Sequence, residues 1–188
     1  MFEKFKVDEK KEQKTEKEKK KFIYLLDEDQ VEIKRLVQED VEEVVKVMRK
    51  CAFDVTEKEV SHIIGYNMSF GAYVNRMLIG VGLSWPAKFD IKQKKIVGGE
   101  PNALYLEDPA VLLAYEGRGI RRILLKEREK EAKNRNFSYT VAYLSEDLPK
   151  GSIEDYIKES GSQLEKLYLS ENYEFLRTER GIIAIKKL

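Results

Sequence analysis

The residues richest in chemistry lie in one stretch, where Leu104-Tyr-Leu-Glu-Asp-Pro-Ala-Val-Leu-Leu113 runs into Ala114-Tyr-Glu-Gly-Arg-Gly-Ile-Arg-Arg-Ile-Leu-Leu125. An apolar strand meets a turn containing Gly117 and Gly119, and a basic helix starts at once. The first turn of a helix leaves N–H groups without partners and carries partial positive charge, which suits it to hold a phosphate. Glycines there let the backbone approach a ligand and adopt positive φ. Arg118, Arg121 and Arg122 are either phosphate ligands or a solvated helix start, and the glycine turn favours phosphate. The pattern is neither Gly-x-x-x-x-Gly-Lys-Ser/Thr nor Gly-x-Gly-x-x-Gly. Glu107 and Asp108 sit in the apolar strand and point to opposite faces if that strand is regular. Buried without partners they would be costly, so each is a functional carboxylate or one half of a strand-edge salt bridge. Pro109 cannot donate to a ladder, and marks a bulge, an edge or a kink in an ordinary strand.

The stretch resembles the acetyl-coenzyme A motif of the GCN5-related N-acetyltransferases (GNATs). That motif reads roughly Val-x-x-x-Tyr-(Gln/Arg)-Gly-x-Gly-Ile-(Gly/Ala)-x-x-Leu-Leu. It is matched here by Val111, Tyr115, Gly117, Gly119, Ile120, Leu124 and Leu125. Two positions that normally face the pyrophosphate depart: Glu116 replaces Gln or Arg, and Arg121 replaces Gly or Ala. The resemblance implies that acetyl-CoA is the co-substrate and that no metal is needed. It implies that Ala110, Val111, Leu112 and Leu113 hold the thioester and pantetheine in a gap between two central strands. Glu116, Gly117, Arg118, Gly119, Ile120, Arg121 and Arg122 would then surround the pyrophosphate. Arg121 has three options: to pair with phosphate, to pair with Glu116, or to block the helix mouth and so keep the fold without the cofactor.

The family often carries a tyrosine in its last helix, about five residues before an aromatic that opens the next strand. Leu164-Glu-Lys-Leu-Tyr-Leu-Ser-Glu-Asn-Tyr-Glu-Phe175 fits, which implies Tyr168 as proton donor to the leaving thiolate. Read without the family, Tyr168 is packed core at helical spacing. Asn172 replaces the usual Gly and accepts a left-handed backbone. Tyr105-Leu-Glu-Asp108 ahead of Val111 is similar to spermidine/spermine-type acetyltransferases, which implies Glu107 as base through a water and Asp108 as binder of the amine. Another base position of the family falls near Tyr143, which is not acidic.

Composition narrows the alternatives. The 188 residues suffice to bury a real core. The net charge of +1 provides no global field for nucleic acid or an anionic membrane. The charged fraction of 37%, mostly Lys and Glu, fits a thermophile's surface or an ordinary solvated one. One cysteine, Cys51, excludes an internal disulfide and a cysteine-based zinc site, and one histidine, His62, excludes a histidine-rich metal site. Cys51 reads as a small core residue, and His62 as a packing or solvent-facing one. No apolar run reaches membrane-span length and the start is too charged for a signal peptide, so a cytoplasmic location is expected.

Residues 1–21 form a Lys/Glu-rich segment, expected to be disordered or a frayed helix, and act as a solubilising tail or a docking arm. A single domain is expected over 22–188. Alternation at 31–37 predicts a strand, and Val41, Val44, Val45, Val47 and Met48 predict a helix after Glu39-Asp40. The box Thr56-Glu-Lys-Glu59 opens a helix to about 68. Strands meeting at Asn75-Arg76 follow, then a turn at Gly98-Gly99, a strand over 103–113, a helix over 119–135 and a strand over 137–144. A short helix, a helix over 162–171 and strands at 173–178 and 181–186 close the chain. The order β-α-α-β-β-β-α-β-α-β-β gives an α/β (α+β) fold with a mixed, mostly antiparallel sheet and helices on both faces. This is the GNAT layout. It implies direct acetyl transfer to a primary amine on a small cationic molecule, or on a protein or peptide. Nucleic acid and membrane are not expected as partners, and a homodimer is allowed. A catalytically silent relative, a CoA sensor or interaction module, is the alternative.

Overall fold

The computed structural model describes residues 23–26 and 29–188. The charged segment 1–21 and the boundary drawn at 22 lie outside the described residues. Strands β1 (Ile23–Leu26) and β2 (Asp29–Arg35) lead to helices α1 (Val41–Lys50) and α2 (Glu57–Ile64). Strands β3 (Phe70–Val74), β4 (Met77–Gly82), β5 (Ser84–Asp90), β6 (Lys95–Val97), β7 (Ala103–Leu106) and β8 (Ala110–Val111) follow. Helix α3 (Ile120–Asn134), strand β9 (Tyr139–Ser145), helices α4 (Ile153–Ser160) and α5 (Gln163–Ser170), and strands β10 (Glu174–Thr178) and β11 (Gly181–Lys187) complete the order. The plan read from the sequence holds. The structure adds β1 and the β5–β6 hairpin to it, ends α2 at Ile64, and divides the strand over 103–113 into β7 and β8.

The strands form two sheets, ordered β1-β2-β3-β4-β8 and β10-β11-β9-β7-β5-β6. All pairings are antiparallel except β7 with β9, which the α3 crossover makes parallel. Two chain segments pass from one sheet to the other at the same level: β4 into β5 at Leu83, and β7 into β8 at 107–109. The β5–β7 ladder pairs Ser84 with Leu106, whereas the β4–β8 ladder pairs Val81 with Ala110, so the register slips by one residue between them. Such a slip is a bulge, and Pro109, lacking an N–H, stands inside it.

Helices α1 and α2 cover one face of the first sheet, where Val44, Val45, Met48, Val60 and Ile64 cluster with Leu78, Val81 and Leu83. Helix α3 covers the other face, where Ile120 and Leu124 cluster with Ile33, Ala72 and Ile79. The start of α3 is tightly seated: a Cβ on Gly80 would lie 2.8 Å from Ile120 Cγ2. One face of the second sheet packs on α3, α4 and α5 through Leu104, Leu106, Leu125, Ile157, Leu167 and Tyr168. Its other face gathers Phe89, Val141, Ile183 and Ile185, with Tyr105, Tyr139 and Tyr143 partly buried beside them. No helix among the described residues is long and apolar enough to cross a membrane.

Candidate functional site

The site grows from the place where β7 stops. The parallel ladder between β7 and β9 pairs Ala103, Leu104 and Tyr105 with Tyr139, Thr140 and Val141, then ends. β9 continues to Ser145 beside β11, while β8 has moved across to β4. The two central strands therefore part, and the Tyr143 N–H is received by a side chain, the Tyr105 hydroxyl at 3.3 Å. Because the strand breaks, Glu107 and Asp108 do not point to opposite faces as a regular strand would place them: both line one cavity.

At the head of α3, Gly117 (φ 74°) and Gly119 (φ 79°) both take the left-handed backbone that favours glycine. A Cβ at either would meet nothing within 4 Å, so the space in front of the loop is open. The first amide to find an α3 partner is that of Ile123, which donates to the Gly119 carbonyl at 3.1 Å. Among the described residues, the amides of Gly117, Gly119, Ile120, Arg121 and Arg122 donate to no protein acceptor. These residues line a small cavity of about 130 Å³ together with Tyr115, Glu116 and Gln163. The arginine side chains are engaged with protein partners. Arg121 forms a two-pronged pair with Glu116, its Nη2 lying 2.6 Å from Oε1. Arg122 pairs with Glu171 and donates to Ser170 Oγ at 3.1 Å, and the Arg118 guanidinium lies 5.5 Å from the Tyr115 ring centroid. Among the described residues, the donors this loop leaves without a protein acceptor are these main-chain amides.

A groove of about 970 Å³ runs from the loop to the strand break, past Ala110, Val111 and the exposed Leu113 on one side and Ser162, Gln163 and Leu164 on the other. Leu112 flanks it from the core and donates its N–H to Ile79. Cys51 reaches the groove and donates its thiol to the Val111 carbonyl at 3.3 Å; burial raises the thiol pKa. A second cavity, of about 370 Å³, opens on the far side of the break between α1–α2 and the uncovered sheet face. Its walls combine Phe53, Val55, Ile63 and Leu83 with the carboxylates of Asp54, Glu59, Glu107 and Asp108. Among the described residues no lysine or arginine lines it. Phe53 and Asp108 border both spaces and so mark where they meet. Glu107 is held by the indole N–H of Trp85 at 2.8 Å, and Trp85 stacks on Tyr105 with ring centroids 4.7 Å apart. Partial desolvation in the cleft, together with the Glu107 carboxylate, raises the Asp108 carboxyl above its ordinary pKa, against a smaller opposing effect of Arg128.

Helix α5 is set by its capping box, Ser162 with Glu165, and it delivers Tyr168 into the core at 1% exposure. Tyr173 packs edge-on against Tyr168 at 4.7 Å after Asn172 turns the chain at φ 63°. The Tyr173 hydroxyl is satisfied by Thr140 at 2.8 Å and Glu129 at 3.2 Å. The Tyr168 hydroxyl has no hydrogen-bond partner, the one buried side-chain polar atom among the described residues in that state. Burial raises its pKa, and the nearby positive charge of Arg128 opposes the rise.

Sequence reasoning passed over Arg128, which is 1% exposed on α3. Its Nη1 donates to the Leu83 carbonyl at 3.0 Å and the Glu107 carbonyl at 2.9 Å, tying the two strands at the level where both change sheets. It touches Gly82, where a Cβ would come within 3.0 Å of its Nε. Burial lowers its pKa. The signal was spacing: Arg128 continues the buried i, i+4 row of Ile120 and Leu124 toward Ala132. Trp85 and Asp54 also enter the site without a motif to announce them, and Glu59 enters it although the sequence marks it only as part of a helix-opening box. His62 stays outside it, its Nε2 3.4 Å from the Tyr66 hydroxyl on the exposed face of α2.

No protein-family model matches this sequence, and no curated protein matches it. Solved structures do match in shape. The loading GNATL domain of CurA from Lyngbya majuscula aligns with a TM-score of 0.66 over 84% of this chain and 97% of its own, at 13% identity. The PaiA N-acetyltransferase of Thermoplasma acidophilum, in complex with coenzyme A, aligns with a TM-score of 0.61 over 84% and 99%, at 17% identity. The ribosomal-protein-S18-alanine N-acetyltransferase of Escherichia coli gives 0.58 over 84% and 92%, at 17% identity. The chain has the GNAT fold. In this chain the glycine turn and the strand break border one groove, Tyr168 lies in the core and lines none of the three cavities described above, and the sequence departures at Glu116 and Arg121 resolve into a pair with each other.

Proposed function

We propose that this chain is an acetyl-CoA-dependent N-acetyltransferase that passes the acetyl group directly to a primary amine. The observation that carries the reading is the junction at Asp108. A groove headed by undonated amides meets an acidic, half-apolar cavity there, so a thioester and an amine are brought to one point. The residues fit the co-substrate. Amides at a helix start hydrogen-bond a pyrophosphate, with the helix dipole in the favourable sense. The groove past Ala110–Val111 accommodates a pantetheine arm, and the exposed Leu113 offers it an apolar contact.

The acceptor nitrogen must lose a proton before it can attack. Asp108 faces both spaces and has a raised pKa, which brings a carboxylate closer to the value an effective base needs. Glu107, held by Trp85, sits one residue away. It completes the acid pair, as base through a water or as binder of the cationic amine, the two carboxylates sharing these tasks. The C–N bond forms as the C–S bond breaks, the amine proton leaves to the carboxylate, and the departing sulfur takes a proton from Tyr168. A buried hydroxyl with no protein acceptor is available for that transfer. The resulting phenolate charge would fall near Arg128.

The four carboxylates, with no lining cation among the described residues, support a cationic amine, on a small molecule or a peptide, as the acceptor class. A cytoplasmic setting belongs to the same proposal. The test is a thiol-release assay with acetyl-CoA and a panel of amines. Turnover with an alkylamine or peptide amine supports the reading. Cofactor binding with uniform silence across the panel supports the second reading, a GNAT-fold CoA sensor. One observation favours that alternative: the Glu116–Arg121 pair places a carboxylate at the phosphate loop.

A further inference from the structure

The second sheet curls until its two edge strands face each other. Among the described residues β6 pairs only with β5 and β10 only with β11, so they stand at opposite ends of the strand order. Yet Ile96 and Val97 of β6 line the same groove as Arg177 and Thr178 of β10. That groove measures about 940 Å³ and lies on the face left uncovered by helices. Tyr143 borders both it and the acidic cavity at Asp108, so the two are continuous across one ring.

The charges on the two sides of Tyr143 are opposite. Lys94, Lys95, Arg177 and Arg180 line the groove against one acid, Glu179. Among the described residues none of these four cations is in an ion pair: Arg177 spends its guanidinium on the carbonyls of Pro149 and Gly151. Among the described residues, the cavity side holds carboxylates without cations. A molecule spanning both would be cationic at the reacting end and anionic beyond it.

We infer that the acceptor is an extended peptide entering amine-first, with acidic side chains in the few positions that follow its amine. This rests on the acetyltransferase reading and adds to it a substrate class. The combined space exceeds what one small amine fills. The outer edges of β6 and β10 offer unpaired backbone groups to an extended chain, and a strand advances about 3.3 Å per residue, so a few residues carry it past Tyr143. The amine meets Asp108, the first residues cross Tyr105 and Tyr143, and the acidic side chains reach Lys94, Lys95 and Arg180.

The experiment uses the full chain saturated with acetyl-CoA and three peptides that differ only at the third to sixth positions, occupied by Glu, Gln or Lys. Thiol release gives kcat and KM. Fluorescence of Trp85, the single tryptophan, reads peptide binding without turnover. Exposed charge pairs each contribute modestly, so several acting together predict a kcat/KM about tenfold higher for the Glu peptide than for the Gln peptide. The gain should reside in KM and shrink with salt, with the Lys peptide poorest. The Lys94→Glu/Lys95→Glu double variant, and separately Arg180→Glu, should erase the preference while leaving acetyl-CoA affinity unchanged. Equal use of the three peptides, or a preference that survives these variants, overturns the inference. If acetyl-CoA does not bind, the acetyltransferase reading fails, and the Trp85 titration still decides whether acidic peptides are selected.

Discussion

Arg121 and Glu116 clasp each other across the mouth of the α3 loop, with Arg121 Nη2 2.6 Å from Glu116 Oε1. Each stands where the GNAT motif has a different residue, and together they cancel. A lone carboxylate about 4 Å from a phosphate would cost about 1 kcal/mol in water and more in a drier site. A lone arginine would attract the phosphate and also crowd it. Paired, they leave the amides of Gly117, Gly119, Ile120, Arg121 and Arg122 as the donors. Glu116→Gln should therefore tighten acetyl-CoA binding several-fold by freeing Arg121 and removing the repulsion. Arg121→Ala should weaken it by about tenfold, since Glu116 is then left unneutralised. Calorimetry on the two variants measures both, and a Glu116→Gln variant that binds more weakly than the parent contradicts the account.

Tyr168→Phe separates stability from activity. A buried hydroxyl without a partner costs about 1–3 kcal/mol relative to one that is satisfied, so its removal should leave the midpoint of urea unfolding unchanged or raise it. A general acid contributes about 10²–10⁴-fold to rate, so kcat should fall by about that factor. A variant that is both destabilised and fully active would show that the residue only packs.

Asp108 sets a pH dependence. Its carboxyl is raised by desolvation and by Glu107, and it works as a base when deprotonated. Activity should therefore climb with pH through a value above the ordinary Asp range of about 4, and then level off. Folding favours its protonated form, so the stability it contributes is present below the ordinary Asp pKa and is lost as pH rises through the folded value. Asp108→Asn, a mimic of the protonated acid, should be more stable than the parent at neutral pH and equal to it in acid, while kcat/KM drops about 10²-fold or more. Thermal melts and rate profiles across pH measure the two effects.

Arg128 is expected to be the costliest single loss in the site. Arg128→Met would leave the Glu107 carbonyl without its donor and loosen the level at which both strands change sheets. A loss of about 3 kcal/mol is expected from urea unfolding. Gly82→Ala should cost less, because the arginine head can shift slightly from the new methyl group.

How much of this could be read beforehand varied with the kind of signal. Local backbone chemistry was legible: the Thr56 box, the glycines at 117 and 119, and the left-handed Asn172 all appear where the residue types require them. The break between β7 and β8 was not, because only pairing with different partners distinguishes it from one apolar strand. The β5–β6 hairpin was missed since its charged residues and Pro86 obscure any alternation. Helix α3 concealed most. The charged run Lys126-Glu-Arg-Glu-Lys-Glu131 carries no local sign of burial, yet Glu127, Arg128, Glu129 and Glu131 are buried because the helix packs against strands of both sheets. The acidic cavity assembles α1–α2 residues with β7–β8 residues far away in sequence, and no local pattern foretells it.

The central claim is that main-chain donors at the head of α3 grip the diphosphate of acetyl-CoA and aim its thioester at Asp108. Isothermal titration of the full chain with acetyl-CoA tests it most directly. The account predicts one site of micromolar Kd that weakens sharply when acetyl-CoA is replaced by acetyl-pantetheine, which lacks the diphosphate. Heat indistinguishable from dilution, or equal affinity for the two thioesters, would contradict it.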